Sequence, residues 1–300
     1  MKRFQRILVP LSFSDADPAV IAMVAQIARW SEPEELIFCH FNSKFEIPAA
    51  LREAHPWLVE PIDQAACERM EALVTGQTDF PPAIRISYHV GEANPVHRSL
   101  ALVLERDCDL IVSGGDKREI VIRLARKAPC SVCIVPANAP TDVRKPMVAV
   151  DFSEYSRYAS EIGIALAGAS DGDRPVLLHL SQIHRGYQWG SFSEDDLIAY
   201  NDAHARFKMN EFCLGLGRPK ESYSTAVHHH ESVPFGILDY VRENGIDCIV
   251  AGCRGRDALS AMLLGSDIEQ ILAHSPVPVF AVKAKGTGRR FIEGLLGMND

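Results

Sequence analysis

Short apolar runs alternate along the whole chain with longer segments in which apolar residues recur at helical spacing. In the C-terminal part, the runs PMVAV, PVLLHL, YSTAVHH, DCIVAG and VPVFAV predict strands. Between them, the segments YSRYASEIGIALA, SEDDLIAYNDAHARFKMNEF, PFGILDYVREN and DIEQILAHS predict helices. Near-continuous apolar strands between amphipathic helices are typical of a parallel sheet with helices on both faces. The pattern therefore predicts an α/β fold with right-handed crossovers.

The chain repeats this pattern. RILVPLSFSDAD (6–17) matches PMVAVDFSEYS (146–156), CDLIVSGG (108–115) matches IDCIVAGC (246–253), and APCSVCIVPA (128–137) matches SPVPVFAVKA (275–284). An internal duplication predicts two Rossmann-like domains, residues 1–137 and 146–284, each an open, mostly parallel five-stranded sheet with helices on both faces. The polar segment 138–145 is the predicted linker, and residues 285–300 form a tail.

The composition limits the classes of partner that we expect the chain to bind. The 300 residues are 47% hydrophobic and 23% charged, which is ordinary for a globular chain of two domains. A net charge of -8 argues against nucleic acid or a membrane surface as the main partner. The first apolar run stops at Leu11, too early for a signal peptide, and no stretch reaches the roughly 20 apolar residues of a membrane span. We expect a cytoplasmic protein.

Candidate site residues follow two strands of the second half. Open α/β sheets bind ligands at the carboxyl ends of their strands, where the strand order reverses. Asp151 ends the first of these strands, and the stretch GCRGRDALSAMLLGSD (252–267) follows the fourth. The segment DFSE is equally typical of a helix entry, in which Asp151 or Ser153 caps the next helix.

The stretch after the fourth strand combines features of a phosphate site. Gly252 and Gly255 lack Cβ atoms, so their backbone amides can come close to a ligand. Gly265 and Ser266 precede a helix, whose N-terminus presents unpaired N–H groups to an anion. Two arginines, Arg254 among them, add positive charge. The alternative is a plain turn and N-cap with nothing bound.

The spacing G-2x-G-9x-G-[ST] after a fourth strand, with an aspartate closing the first, resembles the nucleotide-binding universal stress proteins. Because the resemblance covers both halves, the chain looks like a tandem member of that family. The resemblance implies an adenine nucleotide alpha hydrolase-like fold that binds ATP or a related adenine nucleotide, with Mg²⁺ beside it. Asp151 and Leu180 would lie near adenine or ribose. The phosphates would lie on Gly252, Gly255, Gly265 and Ser266.

The resemblance further implies a nucleotide-dependent regulatory module with protein partners that the sequence does not name. The last strands of the two domains would pair across a pseudo-twofold axis as an intramolecular pseudo-dimer, and two chains could form a homodimer. Asp267 departs from the family pattern. Its carboxylate would repel a triphosphate unless a metal intervenes or the helix entry turns the carboxylate away. In the first half Ser12 replaces the aspartate and the Gly-Ser pair is missing, so we expect no nucleotide there.

Other interpretations stay open at this point. A slow ATPase or nucleotidyl-transfer enzyme would need a base or nucleophile, and no catalytic residue can be assigned from the sequence. A sensor of a non-nucleotide ligand, or a ligand-free partner-binding protein, is a third possibility. His228 and His230 share a strand face and could chelate a metal, contact the ligand, or form a polar strand end. The CSVC pair has redox spacing but lies in a strand-like run.

Overall fold

The computed structural model describes residues 3–43, 62–140, 142–170, 172–183, 193–253, 264–283 and Leu296. The chain divides into two compact units, one within Met1–Asn138 and the other within Ala139–Ala284. The predicted tail lies outside the described residues, apart from Leu296. Within the described ranges, no helix combines the length and apolar character that a membrane crossing requires.

The first unit is an α/β sheet with parallel strands. Its strands lie in the order β3-β2-β1-β4-β5. Its elements along the chain are β1 (Arg6–Pro10), α1 (Asp17–Ser31), β2 (Glu35–Asn42), α2 (Ile62–Gln77), β3 (Arg85–Glu92), α3 (Pro95–Glu105), β4 (Leu110–Gly114), α4 (Arg118–Lys127) and β5 (Ser131–Val135).

The second unit repeats this plan, which confirms the predicted fold class. Its strands lie in the order β8-β7-β6-β9-β10, and all neighbours are parallel. Its elements along the chain are β6 (Pro146–Ala149), α5 (Glu154–Gly168), β7 (Val176–Ser181), α6 (Glu194–Leu216), β8 (Ser224–His229), α7 (Val233–Asn244), β9 (Cys248–Gly252), α8 (Ser266–His274) and β10 (Val279–Val282).

Strand register places the predicted site at one edge. Ala149 lies beside Leu178 on β7 and beside Ala251 on β9. Two residues further along the chain, Asp151 follows β6 and Leu180 lies near the end of β7, at the same carboxyl edge as the end of β9. The strand order reverses between β6 and β9, which is where ligands bind in open α/β sheets.

The helices divide between the two faces of the second sheet. The two crossovers that contain α5 and α6 run in one direction across it, and those that contain α7 and α8 run in the other. Because crossovers are right-handed, each pair shares a face. In agreement, α7 and α8 contact each other, while α5 contacts β6 and β9. A ligand at the strand ends would therefore have different helices on its two sides.

Helix α6 is apolar on two sides. Ala205, Met209 and Phe212 are buried against the sheet. Tyr200, Phe207 and Leu214 lie on the opposite side and are 72%, 60% and 76% exposed. The helix therefore presents a row of large apolar side chains to solvent. Such a row needs an explanation, because surface apolar residues normally occur singly.

Candidate functional site

A cleft of about 590 Å³ opens at the carboxyl edge of the second sheet. The strand ends supply the wall that carries the Asp151 carboxylate, here called the polar wall, which also includes Leu180 and Gly252. Helices α7 and α8 supply an apolar wall, which consists of Val233, Ile237, Ile268 and Ile271. The sequence patterns did not identify this apolar wall, because these residues look like ordinary helix-core positions. The cleft thus combines an apolar side with the polar ends of parallel strands.

Asp151 shapes the turn into α5 and also borders the cleft. Its Oδ1 accepts hydrogen bonds from the Ser153 N–H at 3.0 Å and from the Ser156 hydroxyl. Ser153 is the N-cap of α5 and accepts from the Ser156 N–H at 3.3 Å. The two interpretations of this segment are therefore compatible, since Ser153 caps the helix while Asp151 holds the turn and lines the cleft.

A histidine–phenylalanine pair supports the strand end beside Asp151. The His179 Nδ1–H donates to the carbonyl of Val150 at 2.7 Å, and the ring of Phe152 lies 4.3 Å from the imidazole. Phe152 has a positive φ of 67°, which is uncommon for a bulky residue and costs energy. His179 is therefore packed and hydrogen-bonded.

The first unit contains the same pair. The His40 Nδ1–H donates to the carbonyl of Leu11 at 2.8 Å, and Phe13, with φ of 55°, lies 4.3 Å from that ring. The sequence duplication already contained a signal for this repeated pair, because both repeats read Phe-Ser at this point. The strained turn is therefore a feature of the repeated unit itself, whether or not its cleft is open.

Gly252 and Gly265 differ in what surrounds them. A Cβ atom at Gly252 would lie 2.7 Å from the Cβ of Tyr155 and 3.2 Å from its carbonyl carbon. At Gly265 the nearest atom would be the Cys253 oxygen, at an ordinary 3.5 Å. Of these two glycines, packing therefore requires only Gly252. The predicted phosphate contacts Arg254 and Gly255 lie outside the described residues.

The N-terminus of α8 borders the cleft. Its N-cap is Gly265, and in the described part of the chain no side chain caps this helix, whereas serines cap α5 and α6. Ser266 is the first helical residue and lines the cleft with Gly265. The first-turn N–H groups of a helix have no intrahelical acceptor and carry a partial positive charge. This end of the cleft suits an anion.

Asp267 places a carboxylate beside the same helix end. It lies at an exposed position of the first turn and borders the cleft. The surrounding protein still removes some water from it, and this burial raises the pKa of the carboxyl group above its ordinary value. An anion bound there would repel the ionised form of Asp267 and favour the protonated form.

A second pocket of about 300 Å³ lies on the other side of Asp151 and Leu180. Helix α6 contributes Asn201, His204 and Lys208 to it. Because Asp151, His179, Leu180 and Gln182 border both spaces, the two form neighbouring compartments at one sheet edge. The sequence did not indicate this compartment, since its polar residues come from a helix remote in the chain.

In the first unit the corresponding cavity measures only about 50 Å³. The Ser12 hydroxyl donates to Asp116 Oδ2 at 3.1 Å, so the Asp116 side chain bridges the two strand ends. A Cβ on Gly114 would lie 2.8 Å from Asp116 Oδ1. Ile120 and Val121 of α4 border what remains. A short connection after β4 therefore brings α4 and Asp116 into the space that stays open in the second unit.

The carboxylate and the hydroxyl of this turn have swapped positions between the two units. The Asp151 N–H donates to the Ser156 hydroxyl oxygen at 3.0 Å, and the Ser12 N–H donates to Asp17 Oδ1 at 3.2 Å. Asp17 is 1% exposed, and burial raises the pKa of its carboxyl group. Within the described ranges its Oδ2 has no hydrogen-bond partner. The first unit thus keeps the turn but moves its acid away from the strand end.

The three adjacent histidines have separate partners. His228 packs against Tyr240, and His230 lies 3.5 Å from Asp239, so both face α7 as strand alternation predicts. His229 approaches the Ser181 hydroxyl on the other face. None of the three lines the cleft, and among the described residues no cluster of metal-binding side chains occurs.

The CSVC pair is part of the core. Cys130 and Cys133 are buried thiols, and burial raises the pKa of Cys133 well above its ordinary value. A thiol in this state is a poor nucleophile. The interpretation of the pair as a small hydrophobic contribution to β5 is therefore the better one.

Comparison with known proteins agrees with this architecture. The sequence model of the Universal stress protein family matches residues 3–136 and again 143–283. No match was found among curated protein sequences.

Three solved structures cover nearly the whole chain. A universal stress protein from Archaeoglobus fulgidus DSM 4304 is 19% identical, with a TM-score of 0.57 over 95% of this chain and 99% of its own. A functionally unknown protein from Pseudomonas aeruginosa PAO1 is 17% identical, with a TM-score of 0.63 over 99% of both chains. A protein from Pseudomonas aeruginosa UCBPP-PA14, assigned to the universal stress proteins, is 18% identical, with a TM-score of 0.65 over 99% of both chains. Identities this low speak for the fold alone, but the two family matches span nearly the whole chain, and so this chain belongs to the universal stress protein family as a tandem member.

Proposed function

We propose that the second unit binds an adenine nucleotide, with ATP as the expected form, and that the chain is a cytoplasmic, nucleotide-dependent regulatory module of a stress response. The observation that carries the proposal is the 590 Å³ cleft, which brings an apolar wall and a helix N-terminus without a side-chain cap together at one sheet edge. An adenine ring requires the first feature and a phosphate chain the second.

The polar wall can distinguish parts of the ligand. Asp151 and Leu180 line the cleft at the ends of β6 and β7, where the Asp151 carboxylate suits ribose hydroxyls or the edge of a base. Gly265 and Ser266 form the side that suits phosphate oxygens, through backbone N–H groups and the Ser266 hydroxyl. A cleft of this volume lies within the range of about 300–1,000 Å³ in which small ligands are bound.

Mg²⁺ would enter with the nucleotide. A magnesium ion in such sites usually takes one or two protein carboxylates and completes its shell with phosphate oxygens and water. Asp267 is the carboxylate at the phosphate side of the cleft, so it fits this role. A bound Mg²⁺ would offset the repulsion between Asp267 and the phosphates.

The first unit is proposed to bind no nucleotide. Its cavity of about 50 Å³ is too small for an adenine ring, and Asp116 closes the mouth through its bond to Ser12. Nucleotide occupancy in the second unit would change the N-terminus of α8, and a protein partner could recognise that change.

Titration calorimetry tests the stoichiometry. ATP with Mg²⁺ should bind at one site per chain, and Ser266→Ala should weaken it while leaving the fold intact. Mass spectrometry of small molecules released on denaturation identifies a ligand carried through purification. Two sites per chain would contradict the closed first unit, and an absence of binding at millimolar ATP together with no released nucleotide would contradict the proposal.

An enzymatic role predicts a different result. Multiple-turnover release of phosphate from ATP by the wild type, lost in Ser266→Ala, would show hydrolysis. A regulatory module should instead keep the nucleotide bound and unchanged over many binding half-lives. Assays with ATP, ADP, AMP and a cyclic nucleotide would establish which form the cleft prefers.

A further inference from the structure

Helix α6 has an exposed side with large apolar side chains. Tyr200, Phe207 and Leu214 are spaced seven residues apart, which places them in one row along the helix, and they are 72%, 60% and 76% exposed. The other positions within about 60° of this row, by helix geometry at 100° per residue, are also exposed. These positions are Ser193, Asp196, Ala203, His204, Asn210 and Glu211. We call this set the α6 surface.

We propose that the α6 surface is a self-association interface, on which α6 of a second copy of this chain lies antiparallel with Phe207 at the twofold axis. The row is symmetric about Phe207, since Tyr200 and Leu214 each lie seven residues from it. In an antiparallel pair centred there, Tyr200 of one copy faces Leu214 of the other. Isologous contacts of this kind need a surface that is complementary to itself.

The charges around the row are self-complementary in the same register. Asp196 lies in the first turn of α6, eleven residues before Phe207, and Arg218 follows the C-cap Gly217, eleven residues after it, so the antiparallel arrangement brings the acidic start of each helix towards the basic residues that follow the other. The acidic first turn of α6 and the exposed basic residues after its end have opposite charges. Antiparallel helix dipoles favour the same arrangement.

A second complementary pair flanks the centre. His204 and Glu211 lie on the same side of the row, about one turn before and one turn after Phe207. A twofold axis perpendicular to two antiparallel helices keeps equal sides together, so His204 of one copy approaches Glu211 of the other. Both ends and the middle of α6 therefore match their own copy, which favours a second copy over an unrelated protein.

The size of the surface sets the strength of the contact. A helix of 23 residues is about 34 Å long, and one such helix pair is smaller than a standard interface of roughly 1,600 Å². We therefore expect a concentration-dependent dimer with a micromolar Kd. The α6 surface is separate from the apolar wall of the 590 Å³ cleft, so this proposal does not depend on nucleotide binding.

Sedimentation velocity across a concentration series tests the interface. At about 200 μM, well above a micromolar Kd, the wild type should sediment as a dimer. Phe207→Glu should sediment as a monomer throughout. Phe235→Glu is the matched control, because Phe235 is 51% exposed on α7 and should leave the dimer unchanged. Circular dichroism and thermal melting establish that each variant is folded.

A charge swap tests the register. Asp196→Arg and Arg218→Asp should each raise the Kd about five- to tenfold, because each places two like-charged pairs in the dimer. The double variant should return to within about threefold of the wild type, since it restores opposite charges while keeping the altered N-cap box of α6. A monomeric wild type, a Phe207→Glu dimer, or a double variant weaker than both single variants would overturn the proposal.

Discussion

Replacing Gly252 by alanine should destabilise the protein before any ligand is considered. The added Cβ would lie 2.7 Å from the Cβ of Tyr155 and 3.2 Å from its carbonyl carbon. Carbon atoms pack best at about 3.5–4.0 Å, so the strand end and the helix must separate by roughly 0.8 Å or more. Tyr155 lies in the first turn of α5, and that helix contacts both β6 and β9. The backbone therefore has little freedom to retreat.

The expected cost follows from overpacking. Additional atoms in a well-packed site typically destabilise by about 1–3 kcal/mol. For a domain of this size each kcal/mol lowers the melting temperature by roughly 2–4 °C. Gly265→Ala is the matched control, since its backbone is extended, with φ −62° and ψ 146°, and its nearest neighbour would be at 3.5 Å. Alanine gains up to about 1 kcal/mol from the reduced entropy of the unfolded chain, and its poorer N-capping of α8 offsets this gain, so the control should stay close to wild-type stability.

Calorimetric and urea unfolding without nucleotide measure the difference. Gly252→Ala should melt several degrees below the wild type, and Gly265→Ala should melt close to it. Titration with ATP then separates the roles, because any loss of affinity in Gly265→Ala arises at the site itself. Wild-type stability in Gly252→Ala, or an equal loss in both variants, would refute the assignment of Gly252 to packing and Gly265 to ligand approach.

Three further substitutions have defined outcomes. Ser266→Ala should weaken ATP binding about 2- to 12-fold in calorimetry, the value of one hydrogen bond, with no change in unfolding free energy; an unchanged affinity would exclude the hydroxyl from the site. Asp267→Asn should bind ATP more tightly than the wild type in the absence of Mg²⁺, and the advantage should grow as the pH rises through the raised pKa of Asp267, where the carboxylate becomes charged. A constant ratio across pH would contradict this. The raised pKa of Asp17 means that the folded state holds the proton of this carboxyl group more tightly than the unfolded state does. Ionisation of Asp17 therefore reduces stability as the pH rises above 3.8, the ordinary pKa of the group. Asp17→Asn should therefore gain on the order of 1 kcal/mol at neutral pH and nothing below pH 3.8; urea unfolding with a pH-independent difference would argue against a buried, titrating acid.

The fold could be predicted because its signals are local. Apolar runs of strand length separated by helical periodicity define parallel α/β units, and the duplication supplied each strand twice. The register then brings Asp151 and Leu180 to the same edge as the end of β9, as the rule for open sheets requires. Sequence spacing therefore located the edge on which the candidate site lies.

The features that escaped prediction depend on contacts between distant segments. Asp116 looks like an ordinary loop acid, and only its bond to Ser12 reveals how the first cavity closes. Phe152 combines a positive φ with packing against the His179 ring, which belongs to β7. In α6 both sides are apolar, so periodicity could not decide whether Phe212 or Phe207 faces the sheet. Tertiary packing decided each of these cases.

The closed cavity of the first unit makes it an internal reference for the second. A ligand that binds only the native second unit at 100 times its Kd adds about 2.7 kcal/mol to the stability of whatever unfolds with that site. Amide hydrogen exchange in β6, β7 and β9 should then slow by up to about 100-fold. On the proposal that the first unit binds no nucleotide, exchange in β1, β2 and β4 responds to no ligand of its own. Any slowing of exchange that ATP produces there therefore measures the coupling free energy between the two units.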